Sequence, residues 1–305
     1  MSLALLFPGQ GSQHVGMASA LAAAEPVAAR TLAEADEILG FPLSDLMANG
    51  PEDTLTETKN AQPALLAHSV AALRVLADRL GTPAFAAGHS LGEFSAHVAA
   101  GTLDFEAALR AVRLRGELMF EAGQARPGTM AALLGLDDGA VEDVCARVGS
   151  GVCVPANFNS EGQVVVSGDR TGVLEAMELA KESGAKRVVE LNVSGAFHSP
   201  LMEPAADGLR THLEGVDFRD PAYPVVANAT AEPVADAETA RELLVRQLTS
   251  PVRWSASVRR MAADGVDRFV ELGPGKVLTM LNRRNARDAS SSYLGEPDDF
   301  AAVEA

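Results

Sequence analysis

Apolar residues recur along this chain with two different periods. Leu3–Phe7 is an unbroken apolar run that stops at Pro8-Gly9, which predicts a buried strand. Across Ala61–Leu80, Leu65, Leu73, Leu76 and Leu80 are spaced for one helical face. Ala84–Ala87 is a short strand pattern running into Gly88-His89-Ser90-Leu91-Gly92, and Phe94–Ala100 and Asp104–Ala122 follow as helix patterns. Strands alternating with helices in this way predict βα units around a parallel sheet.

The middle of the chain changes rhythm. Met130–Leu136, Val152–Asn157, Gln163–Ser167 and Lys186–Leu191 are strand-like, with helix patterns at Gly139–Val148 and Gly172–Ser183. The order β-α-β-β-α-β matches a ferredoxin-like unit. It is placed at 126–192, inserted into a larger domain made of 1–125 and 193–285. The α/β pattern resumes with strands at Val225–Ala227 and Arg268–Leu272, a Gly273-Pro274-Gly275 turn and a last helix at Lys276–Arg284. Residues 286–305 are rich in Ser, Asp, Glu and Ala without periodicity, which predicts a mobile tail.

Composition narrows the class. A chain of 305 residues with 47% apolar and 22% charged residues can bury a large core without staples. Its net charge of -16 argues against nonspecific nucleic-acid binding, which needs cations against phosphates. An anionic substrate would need a local cation working against that field. Cys145 and Cys153 fit neither a metal site nor a disulfide framework, so a reducing cytoplasm is expected. The N-terminus lacks the basic start of a signal peptide, and no run approaches the roughly 18 apolar residues of a membrane span.

The chemistry concentrates at Ser90. Gly88-His89-Ser90-Leu91-Gly92 is a G-x-S-x-G sequence between a strand and a helix pattern. A turn that sharp leaves no room for side chains beside the serine, and it aims the helix N-terminus at the hydroxyl. A serine nucleophile needs a base, and the candidates are His14, His68, His89, His97, His198 and His212. His68 and His97 lie in helix patterns and read as packing or surface residues. His89, Glu93 and His97 are spaced by four, but His89 sits in the turn, which weakens a metal face. His198 lies in an irregular stretch after a strand, where catalytic residues gather. Gly9 and Gly11 follow the first strand, but a nucleotide loop would need a third glycine that is missing.

Arg115 stands out on its helix. Phe105, Leu109, Val112, Gly116 and Met119 define the apolar face, and Arg115 lies at its edge. Arg110 and Arg113 each have a glutamate four residues away, Glu106 and Glu117, as surface arginines do. Arg115 has no acidic residue three or four positions off. It must snorkel out, meet a carboxylate from another element, or hold an anionic ligand.

Five segments in order, Phe7-Pro-Gly-Gln-Gly-Ser-Gln13, Gly88-His-Ser-Leu-Gly-Glu93, Arg113-Leu-Arg-Gly116, Gly195-Ala-Phe-His-Ser199 and Glu271-Leu-Gly-Pro-Gly-Lys276, resemble the malonyl-CoA:acyl carrier protein transacylase family. That family includes the acyltransferase domains of polyketide synthases. The resemblance implies an α/β-hydrolase-like domain with an inserted ferredoxin-like one. It implies a cytoplasmic enzyme, expected as a monomer, moving malonyl from coenzyme A to the phosphopantetheine thiol of a carrier protein, with no cofactor or metal.

By the same resemblance Ser90 is the nucleophile and His198 its base, oriented by the main-chain carbonyl of Gln247. On its own, Gln247 reads as a polar residue near a helix end. The amides of Gln10 and Leu91 form the oxyanion hole, and Arg115 grips the malonyl carboxylate. Phe197 would crowd a substituent on the α-carbon, as in malonyl-preferring polyketide relatives. Met119, His89 and Asn159 are assigned to the substrate cleft, beside Asn157. Two basic clusters could dock an acidic carrier: Arg283, Arg284 and Arg287, or Lys181, Lys186 and Arg187. The alternatives are an editing acyl hydrolase and a non-catalytic carrier-docking protein. A carboxylate clamp at Arg115 disfavours the first, and the Ser90–His198 pair the second.

Overall fold

The structure, a computed structural model, describes residues 2–193 and 195–302. Its strands in chain order are β1 (Leu3–Phe7), β2 (Phe85–Gly88), β3 (Gly128–Leu134), β4 (Cys153–Ser160), β5 (Gln163–Asp169) and β6 (Arg187–Glu190). They continue with β7 (Val225–Val226), β8 (Pro233–Val234), β9 (Arg268–Leu272) and β10 (Ser290–Leu294). Six form one sheet in the order β10-β9-β1-β2-β7-β8, parallel except for β8. β1 lies within this sheet and is buried along its length because both faces are covered. Leu3, Leu5 and Phe7 meet Ala71 and Leu76 of helix Thr58–Leu76. Ala4 and Leu6 meet Val258 and Met261 of helix Trp254–Ala263 on the other face.

The second sheet is antiparallel, in the order β4-β5-β3-β6. Helices Asp138–Arg147 and Arg170–Glu182 pack Val141, Val144, Val173 and Ala176 against Leu133, Val164 and Val166 of its strands. Each helix starts on an aspartate cap: Asp137 accepts from the Ala140 amide and Asp169 from the Gly172 amide. On the opposite face, Met130 and Val165 join the core that contains Met119 and Phe197. β4 is tied to the larger body by the Val252 amide donating to the Ala156 carbonyl (2.8 Å) and the Phe158 amide donating to the Val252 carbonyl (2.9 Å). A cleft between the two sheets follows from this arrangement.

The stretch 286–305, expected as a mobile tail, is built differently through residue 302. Ser290–Leu294 is the parallel edge strand β10, and Pro297–Ala302 is a 3₁₀ helix. Leu294 and Phe300 are buried in the main core. Serine-rich sequence can serve here because an edge strand is held by its main-chain ladder to β9 rather than by an alternating apolar face. Residues 303–305 of that stretch, like Met1 and Ser194, lie outside the described residues. No described helix is long and apolar enough to cross a membrane.

Candidate active site

The serine turn is built from close contacts that exclude side chains. A Cβ on Gly88 would lie 1.9 Å from the Gly92 carbonyl carbon, and one on Gly92 would lie 2.2 Å from the Phe7 oxygen. Gly9 is similarly forced, since its Cβ would meet the His89 carbonyl oxygen at 2.5 Å. Ser90 itself sits at φ 51°, a left-handed conformation that costs a non-glycine residue about 1–2 kcal/mol. Asn228 holds the turn from behind: its Oδ1 accepts from the Ser90 amide and its Nδ2 donates to the Gly88 carbonyl, both at 2.7 Å. Helix Gly92–Ala99 then starts directly after the turn.

His198 lies against the serine. Its Nε2 is 2.8 Å from Ser90 Oγ, and its Nδ1 is 2.9 Å from the Gln247 carbonyl oxygen. A carbonyl only accepts, so Nδ1 carries the proton and Nε2 presents a lone pair to the serine hydroxyl. Orientation of the imidazole therefore comes from a main-chain dipole, with no carboxylate on the ring among the described residues.

Arg115 reaches the same point from helix Phe105–Ala125 and is 1% exposed. It neither snorkels out nor meets a carboxylate in hydrogen-bond contact among the described residues. One terminal nitrogen donates to Gln62 Oε1 (2.7 Å) and the other to Gln247 Oε1 (2.8 Å) and Ser90 Oγ (3.1 Å). Arg110 and Arg113 do pair with Glu106 and Glu117 as expected, and Arg113 also bonds Asn60 across the helix pair. Burial lowers the Arg115 pKa to about 10, against the raising influence of nearby Glu93. It remains a cation at neutral pH, held by neutral oxygens.

Ser90, His198, Arg115, Gln10, Leu91, Met119, Phe197 and His89 line one cavity of about 300 Å³, with Met130 and Asn157 closing it from the second sheet. Asn159 is not in that lining. It sits behind His89, its Oδ1 accepting from His89 Nε2 at 2.8 Å, while the Trp254 ring lies tilted against the imidazole with centroids 5.6 Å apart. Gln247 also lies behind the cavity, linking Arg115 and His198 to the turn through Nε2, which donates to the Ser90 carbonyl (2.9 Å) and to Glu93 Oε2 (2.7 Å). Sequence reading assigned no role to Gln62, Asn228 or Glu93. Gln62 carries no signal of its own, because Thr58, Lys59 and Asn60 make the start of its helix polar. Glu93 closed a quoted motif, and Asn228 sits just past a strand end.

Four imidazoles, those of His68, His89, His97 and His198, are lowered by burial and stay neutral. Burial pushes His198 down to about 3, helped by the Arg115 charge, and pushes His97 to about 3 and His68 to about 4. The unfolded chain binds protons at these sites below about pH 6.5 while the folded one does not, so acid draws the equilibrium towards unfolding. Glu93, raised by burial to about 7, works in the opposite sense between its ordinary value and 7, and burial raises Glu271, Glu296 and Asp138 in the same direction, so the expected trend is a balance led by the four deeply buried imidazoles. Thermal melts should show Tm falling as pH drops from 6.5 to 4.5. A His97→Gln variant should lose less over that interval, and an equal loss in both proteins would contradict the assignment.

Residues 4–295 match the family described as acyl transferase domain. The malonyl CoA-acyl carrier protein transacylase of Bacillus subtilis (strain 168) is 46% identical over 298 residues, covering 97% of this chain and 94% of that protein. The protein of the same name from Escherichia coli (strain K12) is 46% identical over 302 residues and 98% of each chain. Among solved structures, an acyl carrier protein S-malonyltransferase from Vibrio cholerae superposes with a TM-score of 0.96 at 45% identity, covering 99% of this chain and all (100%) of that one. A malonyl-transacylase in complex with its type II PKS acyl-carrier protein gives 0.95 at 44% identity over 99% of each chain.

Proposed function

This chain belongs to the acyl transferase domain family, and from that premise we infer that it is a malonyl-CoA:acyl carrier protein S-malonyltransferase working through a malonyl-Ser90 ester. The observation that carries the substrate reading is Arg115, a buried cation beside the reactive hydroxyl whose hydrogen-bond partners are all neutral. A substrate carboxylate there would receive two parallel charge-assisted bonds. A general acyl hydrolase would have no use for such a clamp, and a docking protein would not need the Ser90–His198 contact.

Ser90 Oγ attacks the thioester carbonyl while His198 Nε2 takes its proton. The oxyanion is received by the amides of Gln10 and Leu91, neither of which has an acceptor among the described residues. Each such donor contributes about 10² to 10³ in rate. Collapse breaks the carbon–sulfur bond, coenzyme A leaves with the proton from His198, and the malonyl ester remains on Ser90. The phosphopantetheine thiol then gives its proton to His198 and attacks the ester, and collapse returns Ser90 as the hydroxyl. Coenzyme A is a substrate here, phosphopantetheine belongs to the carrier, and the residues supply each proton transfer without a cofactor. Phe197 and Met119 flank the space for the malonyl α-carbon. Rapid quenching of enzyme with malonyl-CoA alone, followed by peptide mapping, should find the malonyl ester on the Ser90 peptide. Carrier loading without any such ester would contradict the two-step route.

The larger sheet, with its serine turn after a parallel strand, supports an α/β-hydrolase-like reading. The order β4-β5-β3-β6 supports a ferredoxin-like one for the second sheet. Cys145 and Cys153 face each other as free thiols, Sγ to Sγ 4.0 Å. For the carrier, Lys186 and Arg187 from one basic cluster and Arg284 and Arg287 from the other line a single groove. Lys181 is instead occupied by Glu178. An acidic carrier would be drawn to that groove against the chain's overall negative field. Reversing Arg187 and Arg284 to glutamate should raise the carrier KM roughly tenfold and leave malonyl-Ser90 formation unchanged. An unchanged carrier KM would place docking elsewhere.

A further inference from the structure

Glu93 takes no part in the steps above, yet it lies fully buried beneath them on the first turn of helix Gly92–Ala99. Its Oε2 accepts from Gln247 Nε2 (2.7 Å) and from the Asn228 amide (3.1 Å), while Oε1 has no partner among the described residues. The second acceptor on Gln247 Nε2 is the Ser90 carbonyl. An amide nitrogen set between two acceptors fixes which way the side chain faces. Its Oε1 must then point the other way, where it accepts from Arg115 at 2.8 Å. Flipped over, the amide would set its NH₂ against the guanidinium and its oxygen against a carboxylate and a carbonyl, so every contact would be mismatched.

We propose that Glu93 is a positioning residue for substrate choice: it locks the Gln247 amide in the one orientation that aims Arg115 at a malonyl carboxylate. This rests on the malonyltransferase reading. Burial pushes the Glu93 carboxyl up to about 7. A proton on the partnerless Oε1 still leaves Oε2 an acceptor, so acceptance rather than charge is what the network uses. The main-chain carbonyl of Gln247 that holds His198 is untouched by a side-chain flip. Loss of Glu93 therefore acts on Arg115 and shows in KM for malonyl-CoA more than in kcat.

The test compares wild type, Glu93→Met and Glu93→Gln in loading a carrier from malonyl-CoA and from acetyl-CoA, read by intact mass. Glu93→Met should lower the malonyl-to-acetyl ratio about tenfold or more, mainly through the malonyl-CoA KM. Glu93→Gln, which keeps a carbonyl oxygen for Gln247, should recover most of it. An unchanged ratio in folded Glu93→Met, or a Gln variant as impaired as the Met one, overturns the proposal. If Glu93→Met does not fold, Gln247→Met reads the same link, and an unchanged ratio there overturns it as well. Wild type that loads no malonyl at all would instead contradict the functional reading.

Discussion

Ser90→Ala is expected to lower malonyl transfer to the carrier by roughly 10⁴-fold or more while the protein stays folded. The hydroxyl lies between His198 Nε2 (2.8 Å) and the Arg115 guanidinium (3.1 Å). Without it, no atom at that point can form the ester. The turn survives because the Asn228 side chain holds it by the Ser90 amide and the Gly88 carbonyl, neither of which is part of the removed hydroxyl. Arg115 keeps Gln62 and Gln247, so malonyl-CoA should still bind the variant with similar affinity. His198→Ala should be comparably impaired, and the double variant little worse than either single one, since the two residues act as a unit. Transfer by Ser90→Ala within tenfold of wild type would remove the nucleophile from the account.

Arg115→Met is expected to lower kcat/KM for malonyl-CoA by about 10²- to 10⁴-fold, the loss of two charge-assisted bonds of roughly 1.5–3 kcal/mol each. Transfer from acetyl-CoA should fall far less, because acetyl has no carboxylate to hold. Lysine should rescue poorly, since a single ammonium cannot reproduce the fork that now spans Gln62, Gln247 and Ser90. The change also leaves Gln62 Oε1 and Gln247 Oε1 buried without a donor, at about 1–3 kcal/mol each. The ratio of malonyl to acetyl transfer in folded protein is thus the quantity to read. An unchanged ratio would show that the carboxylate is bound elsewhere.

The sequence made the site's reacting atoms legible because their chemistry demands a local signature. The serine turn needs glycine at 88 and 92, as the impossible Cβ contacts there show, so the turn is visible as letters. Arg115 was legible as a cation without a helical partner, though not its depth of burial. The network behind it was hidden for a physical reason. Gln62, Gln247, Glu93 and Asn228 come from four separate segments and meet only through tertiary packing, leaving no spacing to read. Asn159, expected in the cleft, serves His89 from behind, a contact that only the packing of β4 against the serine turn creates. Strand β10 leaves no periodic signal because its hold is main-chain pairing with β9, and serine carries no apolar alternation. The short helices Leu43–Asn49 and Glu52–Thr56 were likewise unassigned, each too brief for periodicity to register.

The most direct test offers the enzyme a phosphopantetheinylated carrier and an equal mixture of malonyl-, methylmalonyl- and acetyl-CoA, with an enzyme-free control, and weighs the carrier intact. The carrier is expected to be dominated by the malonyl adduct, which needs the Ser90 route, the Arg115 clamp and the Phe197 restriction to act together. A carrier that stays unloaded while free coenzyme A accumulates would contradict the transferase reading and leave a hydrolase in its place.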